Sequence, residues 1–292
     1  MPQYIDLHLH STSSDGLYTP AEVMRMAKAI GLSAVALADH DNVDGIDAAM
    51  LEGSALGLEV LTAVELSTQW GEYQDIHLLG YGFNHHDQEL ERELFGFRDF
   101  RERRNELIVE RVNEKLKEEG RTPLDLAAVK EKAGGTIGRP HIAMALLDVG
   151  HVQNKEEAFE RYLVPCNVEK RFFPIEDAIA MIHRAGGAAV LAHPPYITPD
   201  RRTLETLVKT FTSMGLDGIE AYNNGADNDV IDWTISLARR NGLVVTGGSD
   251  FHGADGEVLT MGGHRGNLRV PAKYLDEVNA VIYRRQQEVR CS

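Results

Sequence analysis

The segment Tyr4-Ile5-Asp6-Leu7-His8-Leu9-His10-Ser11 places two histidines two residues apart at the end of an apolar run. Side chains on a strand alternate faces, so His8 and His10 point the same way and Asp6 shares their face. Two imidazoles on one face, followed by the turn Ser13-Ser14-Asp15-Gly16, can bind a metal ion. Taken alone, the pair reads more readily as two polar residues near a strand end. The same arrangement then recurs: His40 follows the apolar residues 33–38, Glu65 follows 59–64, His193 follows 188–192, and Asp250 and His252 follow 243–248. Gathering that many ionisable groups at buried strand ends is costly unless cations compensate them. Imidazoles and carboxylates without thiolates suit Mn²⁺, Fe²⁺, Zn²⁺ or Co²⁺ better than Ca²⁺. The donors exceed the roughly four that one zinc ion takes, which points to two or three divalent ions.

The elements that must position these groups alternate. Strands are expected at 4–10, 33–38, 59–64 and 75–81, with helices at 20–30 and 46–56. The alternation resumes after Phe173-Pro174 and runs to the last helix, 272–284. Strand–helix alternation implies a parallel sheet, and in a (β/α) barrel the C-terminal strand ends carry the site. Residues 86–166 break the rhythm with helices only, so they are expected to form a small helical cap domain. It would be inserted into an α/β domain made of 1–85 and 167–292. The run Arg98, Arg101, Arg103, Arg104 within that insertion reads as a solvated helix face.

The chain has 292 residues, 43% of them apolar, which allows one large α/β domain with an insertion. No apolar run is long enough to span a bilayer, so no membrane association and a cytoplasmic location are expected. Cys166 and Cys291 show no metal-type spacing and read as free thiols. Thirty Lys and Arg against 45 Asp and Glu leave a formal charge of −15. Such a surface repels long nucleic acid but admits a small anion at a locally positive site.

The motifs His8-Leu9-His10, Asp15-Gly16, Asp39-His40-Asp41, Glu65, His77, Ala192-His193-Pro194 and Gly248-Ser249-Asp250-Phe251-His252 resemble, in order, those of the PHP (polymerase and histidinol phosphatase) family. The resemblance implies a distorted (β/α)₇ barrel and a trinuclear metal site. Carried over by position, His8, His10, Glu65 and Asp250 would hold one ion. Glu65 would bridge to a second held by His77 and His193, and Asp15, His40 and His252 would hold the third. Manganese is the first expectation, with iron, zinc or cobalt as alternatives. Where the family often has Thr before Asp-His-Asp, this chain has Ala38. Gly138-Arg139-Pro140-His141, Lys170-Arg171 and Gly186-Gly187 further resemble the subgroup of 3′,5′-nucleotide bisphosphate phosphatases and a 5′-to-3′ exoribonuclease.

The resemblance implies a phosphoesterase. Three divalent ions bring about +6, against about −3 from Asp15, Glu65 and Asp250 and about −1 from a bridging hydroxide, leaving a positive pocket. That hydroxide is expected to attack phosphorus in line, with Asp250, His252, His193 and Glu65 as the catalytic group. Arg139, at a helix start, together with His141, Lys170 and Arg171, is expected to grip a second phosphate. Tyr222, Asn223 and Asn224 end a strand and are expected to line the pocket, with His264 and Arg265 as further candidates. Asp6, Asp39 and Asp41 are expected to orient imidazoles. The expected substrate is a small 3′,5′-bisphosphonucleotide, such as adenosine 3′,5′-bisphosphate giving AMP and phosphate. Alternatives are 5′-to-3′ cleavage of short oligonucleotides, another phosphorylated metabolite, a non-catalytic metal-stabilised binding module, or amidohydrolase chemistry on C–N bonds.

Overall fold

The computed structural model describes residues 3–133, 137–253, 259–264 and 268–291. In chain order the elements are β1 (Tyr4–Leu9), α1 (Pro20–Ala29), β2 (Ala34–Leu37), α2 (Ile46–Leu56), β3 (Glu59–Trp70), β4 (Tyr73–Tyr81), α3 (Gln88–Glu118), α4 (Leu126–Ala133), α5 (Arg139–Asp148) and α6 (Lys155–Ala158). They continue with β5 (Phe173–Pro174), α7 (Ile175–Arg184), β6 (Ala188–Leu191), α8 (Arg201–Ser213), β7 (Gly218–Tyr222), α9 (Asn228–Arg240), β8 (Val244–Gly247), β9 (Leu259–Thr260), β10 (Gly263–His264), β11 (Val270–Pro271) and α10 (Lys273–Cys291). The chain divides into two compact units, Met1–Glu93 with Phe172–Ser292, and Leu94–Arg171. The division falls inside α3, because the helix begins at Gln88 and continues without a break where the sequence suggested a start near Phe97.

In the first unit the strands follow the order β11-β1-β2-β3-β4-β6-β7-β8, with β5 pairing parallel to β3. Beyond β8 the chain returns to β1: Leu9 bridges Phe251, Asp250 N–H donates to His8 C=O at 2.9 Å, and His10 N–H donates to Phe251 C=O at 3.0 Å. The sheet is therefore nearly closed, an α/β barrel-like ring. The ring is not uniformly parallel. No helix separates β3 from β4, so β4 turns back through Gly71 (φ +58°) and pairs antiparallel with β3. This hairpin extends β3 to Trp70, and Glu65 lies mid-strand rather than at a strand end.

Strand alternation sorts the faces. Leu9, Val35 and Leu37 pack outward against Val23, Met24 and Ala27 of α1 and Ala49 of α2. That leaves Asp6, His8 and His10 on the inner face, all fully buried. Helix α1 starts at a reciprocal cap, where Thr19 and Glu22 satisfy each other's backbone N–H groups. The second unit has its own core of Ile108, Val112, Leu116, Ile142, Leu146, Tyr162 and Leu163. Arg104 is not part of a solvated face. It is buried, donating from Nε to Val168 C=O at 2.7 Å and from Nη2 to Asn167 Oδ1 at 2.8 Å, while its neighbour Arg103 pairs with Asp99 at the surface. Cys166 is buried and Cys291 exposed, neither in a disulfide. Among the described residues no helix is long and apolar enough to cross a membrane.

Candidate metal centre

Strand ends, the turns after them and the middle of the β3–β4 hairpin bring His8, His10, Asp15, His40, Glu65, His77, His193, Asp250 and His252 together in the first unit. His8 and His10 come from β1, His40 from the turn after β2, Glu65 and His77 from the β3–β4 hairpin, His193 from the turn after β6, and Asp250 and His252 from the segment after β8. Glu65 is fully buried and stands at the middle. Its Oε2 lies 3.2 Å from His8 Nε2, 3.3 Å from His10 Nε2 and 3.0 Å from His40 Nδ1. Its Oε1 lies 2.8 Å from His77 Nδ1 and 3.1 Å from His193 Nε2, and those two nitrogens are 3.3 Å apart. Asp250 Oδ1 completes one group, 3.5 Å from His8 Nε2 and 3.1 Å from His10 Nε2. Asp15 Oδ1 anchors another, 3.3 Å from His252 Nε2 and 3.9 Å from His40 Nε2.

These donors fit divalent ions. His8 Nε2, both ring nitrogens of His10 and Glu65 Oε2 are buried yet make no hydrogen bond among the described residues. A buried polar atom is ordinarily satisfied, so such a set of orphans marks a place for a cation. Metal bonds of about 2.1 Å in tetrahedral geometry put neighbouring donors about 3.4 Å apart, close to the 3.1–3.5 Å edges of the His8, His10, Glu65, Asp250 group.

Without cations the cluster is a strongly coupled acid–base set. Burial opposes charge on His77, yet Glu65 and Asp75 outweigh it and hold its pKa at about 10. Burial likewise opposes charge on His252, and Asp15 lifts it to about 9. Burial would raise Asp250 and Glu65, but the surrounding histidines keep both well below the usual carboxylate range. His40 goes the other way, lowered by burial despite Glu65 and Asp15. The backbone is shaped to match. His193 (φ +25°) and Asp250 (φ +54°) occupy left-handed conformations that non-glycine residues seldom adopt, as happens at functional sites.

Two carboxylates that orient the site escape a reading of motifs. Glu220, in the middle of the apolar strand β7, is fully buried, and its Oε1 is 3.0 Å from His8 Nδ1. Its Oε2 accepts the His193 backbone N–H at 2.8 Å, so one side chain steadies groups on two strands. Asp75 Oδ1 lies 3.4 Å from His77 Nε2. The signal available for both was a carboxylate placed in or beside an apolar strand. Asp6 and Asp39 grip the chain around the ligands. Asp6 accepts from Ser249 N–H at 2.9 Å and Gly262 N–H at 2.8 Å; Asp39 accepts from Ser11 N–H at 2.7 Å and from the Ser11 and Ser14 hydroxyls. Asp41 accepts from Ser67 N–H at 2.8 Å and its hydroxyl at 2.9 Å.

The remaining candidates belong to other segments. Asn223 follows β7, is buried, and accepts Gly225 N–H on Oδ1 at 3.1 Å; its Nδ2 makes no hydrogen bond among the described residues. Asn224 donates to Ser249 C=O. Tyr222 turns its hydroxyl to that of Tyr274 on α10 at 3.4 Å, and burial together with that contact pushes its pKa to about 12. Arg139, His141, Lys170 and Arg171 belong to the helical unit. There His141 Nδ1 accepts Gly138 N–H at 2.9 Å as a helix cap, Arg139 lies over the Phe159 ring and Arg171 over that of Phe97. His264 is in β10, and Arg265 lies outside the described residues.

Residues 6–163 match the model of the PHP domain. The chain is 35% identical over 255 residues to a 5′-3′ exoribonuclease of Haemophilus influenzae, a match covering 86% of this chain and 91% of that protein. It is 34% identical over 276 residues to a 3′,5′-nucleoside bisphosphate phosphatase of Chromobacterium violaceum, covering 90% and 92%. A solved structure from Bifidobacterium adolescentis, described as a metal-dependent phosphoesterase, superposes with a TM-score of 0.80 at 27% identity, covering 96% of this chain and 98% of that one.

Proposed function

The chain belongs to the PHP domain family of metal-dependent phosphoesterases, and on that premise we propose that it removes the 3′-phosphate from nucleoside 3′,5′-bisphosphates. The observation that carries this reading is the convergence of five imidazoles on Glu65, whose two oxygens face separate sets of them. His8, His10, Glu65 and Asp250 would hold one ion, Glu65 with His77 and His193 a second, and Asp15, His40 and His252 a third, manganese being the first choice. Divalent ions there supply Lewis-acid stabilisation of phosphoryl oxygens and activation of the attacking water.

The chain's own residues do the rest. Asp250, His252, His193 and Glu65 form the proposed catalytic group. Asp250 and His252 are the ligands most open to solvent, about one-third exposed, so they mark the side a phosphate reaches. Asn223 Nδ2 is a donor left for a phosphate or ribose oxygen. The exposed ring of Tyr196, its centroid 5.1 Å from that of His193, offers a flat face to a nucleobase. Arg139, His141, Lys170 and Arg171 are proposed for the second phosphate on the strength of their chemistry, with His264 as a further candidate.

The formal charge of −15 favours a small anion over a polymer. Similarity to the bisphosphate phosphatase supports the leading reading, and similarity to the exoribonuclease supports 5′-to-3′ cleavage of short oligonucleotides as the second. Manganese-loaded protein should be offered adenosine 3′,5′-bisphosphate and a 5′-phosphorylated oligoribonucleotide in parallel. At least tenfold higher kcat/KM for the bisphosphate is expected. The reverse order would put the exonuclease reading in its place, and hydrolysis of neither would overturn both.

A further inference from the structure

Asp47, His85 and His86 form a second donor cluster that shares no residue with the centre built on Glu65. Asp47 stands in the first turn of α2, and the two histidines occupy the connection between β4 and α3. Both imidazoles address the same carboxylate oxygen: His85 Nε2 lies 2.8 Å and His86 Nε2 3.5 Å from Asp47 Oδ1. The first distance is an ordinary hydrogen bond. The second, from His86, is at the outer limit of one. The His86 ring lies 4.0 Å from that of His85, centroid to centroid, inclined by 39°. Two nitrogens and an oxygen separated by 2.8 and 3.5 Å bracket the donor spacing of about 3.4 Å at a tetrahedral ion.

The surroundings favour a cation. The hydrogen bond from His85 holds the Asp47 carboxyl below its ordinary range, so it is anionic at neutral pH. Glu91 Oε1 lies 4.0 Å from His86 Nδ1, on the other nitrogen of that ring, where a carboxylate raises the basicity of a ligating imidazole. The loop is held in place: Asn84 N–H donates to Ala185 C=O at 2.9 Å, and His86 N–H donates to Asn84 Oδ1 at 3.2 Å.

We propose that Asp47, His85 and His86 form a peripheral binding site for a borderline divalent cation of the zinc class, which ties the start of α2 to the β4–α3 connection. Two imidazoles and one carboxylate select such ions over Ca²⁺ or Mg²⁺, and three protein donors leave one position for water. The test is zinc retained per chain in equilibrium dialysis at fixed free Zn²⁺, for the wild-type protein, His86→Ala and Asp47→Asn. Both side chains are exposed, so folding is not at stake in either variant. The wild type should retain one zinc ion more than each variant, while the zinc bound by the Glu65-centred cluster stays the same in all three. Equal zinc content in all three would overturn the proposal and leave the triad a hydrogen-bonded surface cluster. The readout is bound metal, so the result is independent of the substrate.

Discussion

Glu220→Gln separates the part Glu220 plays in holding metal from any part it plays in packing. The wild-type carboxylate accepts at both oxygens, from His8 Nδ1 at 3.0 Å and from the His193 backbone N–H at 2.8 Å, in a fully buried position. Glutamine keeps the shape but turns one acceptor into an NH₂ donor. If the NH₂ faces His8, the imidazole must move its proton to Nε2, the atom that faces Glu65 and Asp250. If it faces His193, two donors meet and the strained backbone at φ +25° loses its anchor. A hydrogen bond to a charged group contributes about 1.5–3 kcal/mol, which at about 1.4 kcal/mol per decade is roughly 10–100-fold. The measured range for mutating groups that orient metal-ligating histidines is also about 10–100-fold in metal affinity. Mn²⁺ affinity should be measured by chelator competition, beside thermal unfolding of the metal-free protein. A Mn²⁺ Kd within threefold of wild type would refute the reasoning. A lowered melting temperature with unchanged Kd would make Glu220 a core hydrogen-bond partner and nothing more.

Gly248→Ala should disrupt the same strand ends from the other side. A Cβ there would lie 2.3 Å from His8 Cβ and 2.4 Å from His8 N, which β1 cannot yield, so a loss of about 1–3 kcal/mol or more and weaker metal binding are expected in calorimetry and chelator competition. Arg139→Ala should raise KM for a bisphosphate at least tenfold while leaving a simple phosphate monoester within twofold; equal effects on both would remove Arg139 from the second-phosphate site. The Asp217 carboxyl is lowered, because bonds from His183, Arg285 and Ala189 N–H outweigh its burial. A lowered group adds stability above its unfolded pKa of about 3.9 and loses it as pH falls through the folded value. Metal-free wild type should therefore be more stable than Asp217→Asn at pH 7, with the gap in melting temperature closing as pH falls below about 4.

The ligands on β1 and those following β2, β6 and β8 were legible because a parallel strand is apolar throughout, so an ionisable residue at its end stands out. The hairpin was less so. Glu65 looked like a strand end because the apolar residues stop there, whereas pairing with β4 carries the ladder on to Trp70. Gly71 was the available turn signal, and a β3–β4 link with no room for a helix already required reversal. The start of the helical unit was hidden for a different reason: residues 88–118 are continuously helical, and the helix runs through Gly96 next to the division, so the one turn residue there marks no break. Glu220 was invisible as an isolated carboxylate in an apolar strand. Its meaning depends on His8 and on the His193 N–H, which are 212 and 27 residues away.

The strain at the centre and its buried carboxylates are two sides of one arrangement. Glycine would adopt the φ of +25° at position 193 and +54° at position 250 without cost, but it has no donor to offer a cation. A ligating side chain there costs of order 1–3 kcal/mol in backbone strain and persists only when its surroundings over-determine it. At His193 the determining contact is Glu220, which holds the N–H, with Glu65 facing the ring. At Asp250 it is the ladder to β1, through Asp250 N–H to His8 C=O. Each strained ligand is thus fastened to the strand bearing another ligand or its orienting carboxylate. A substitution that loosens one member should therefore weaken the whole centre, and Glu220→Gln paired with Gly248→Ala should show effects on Mn²⁺ affinity that do not add, since both act through His8.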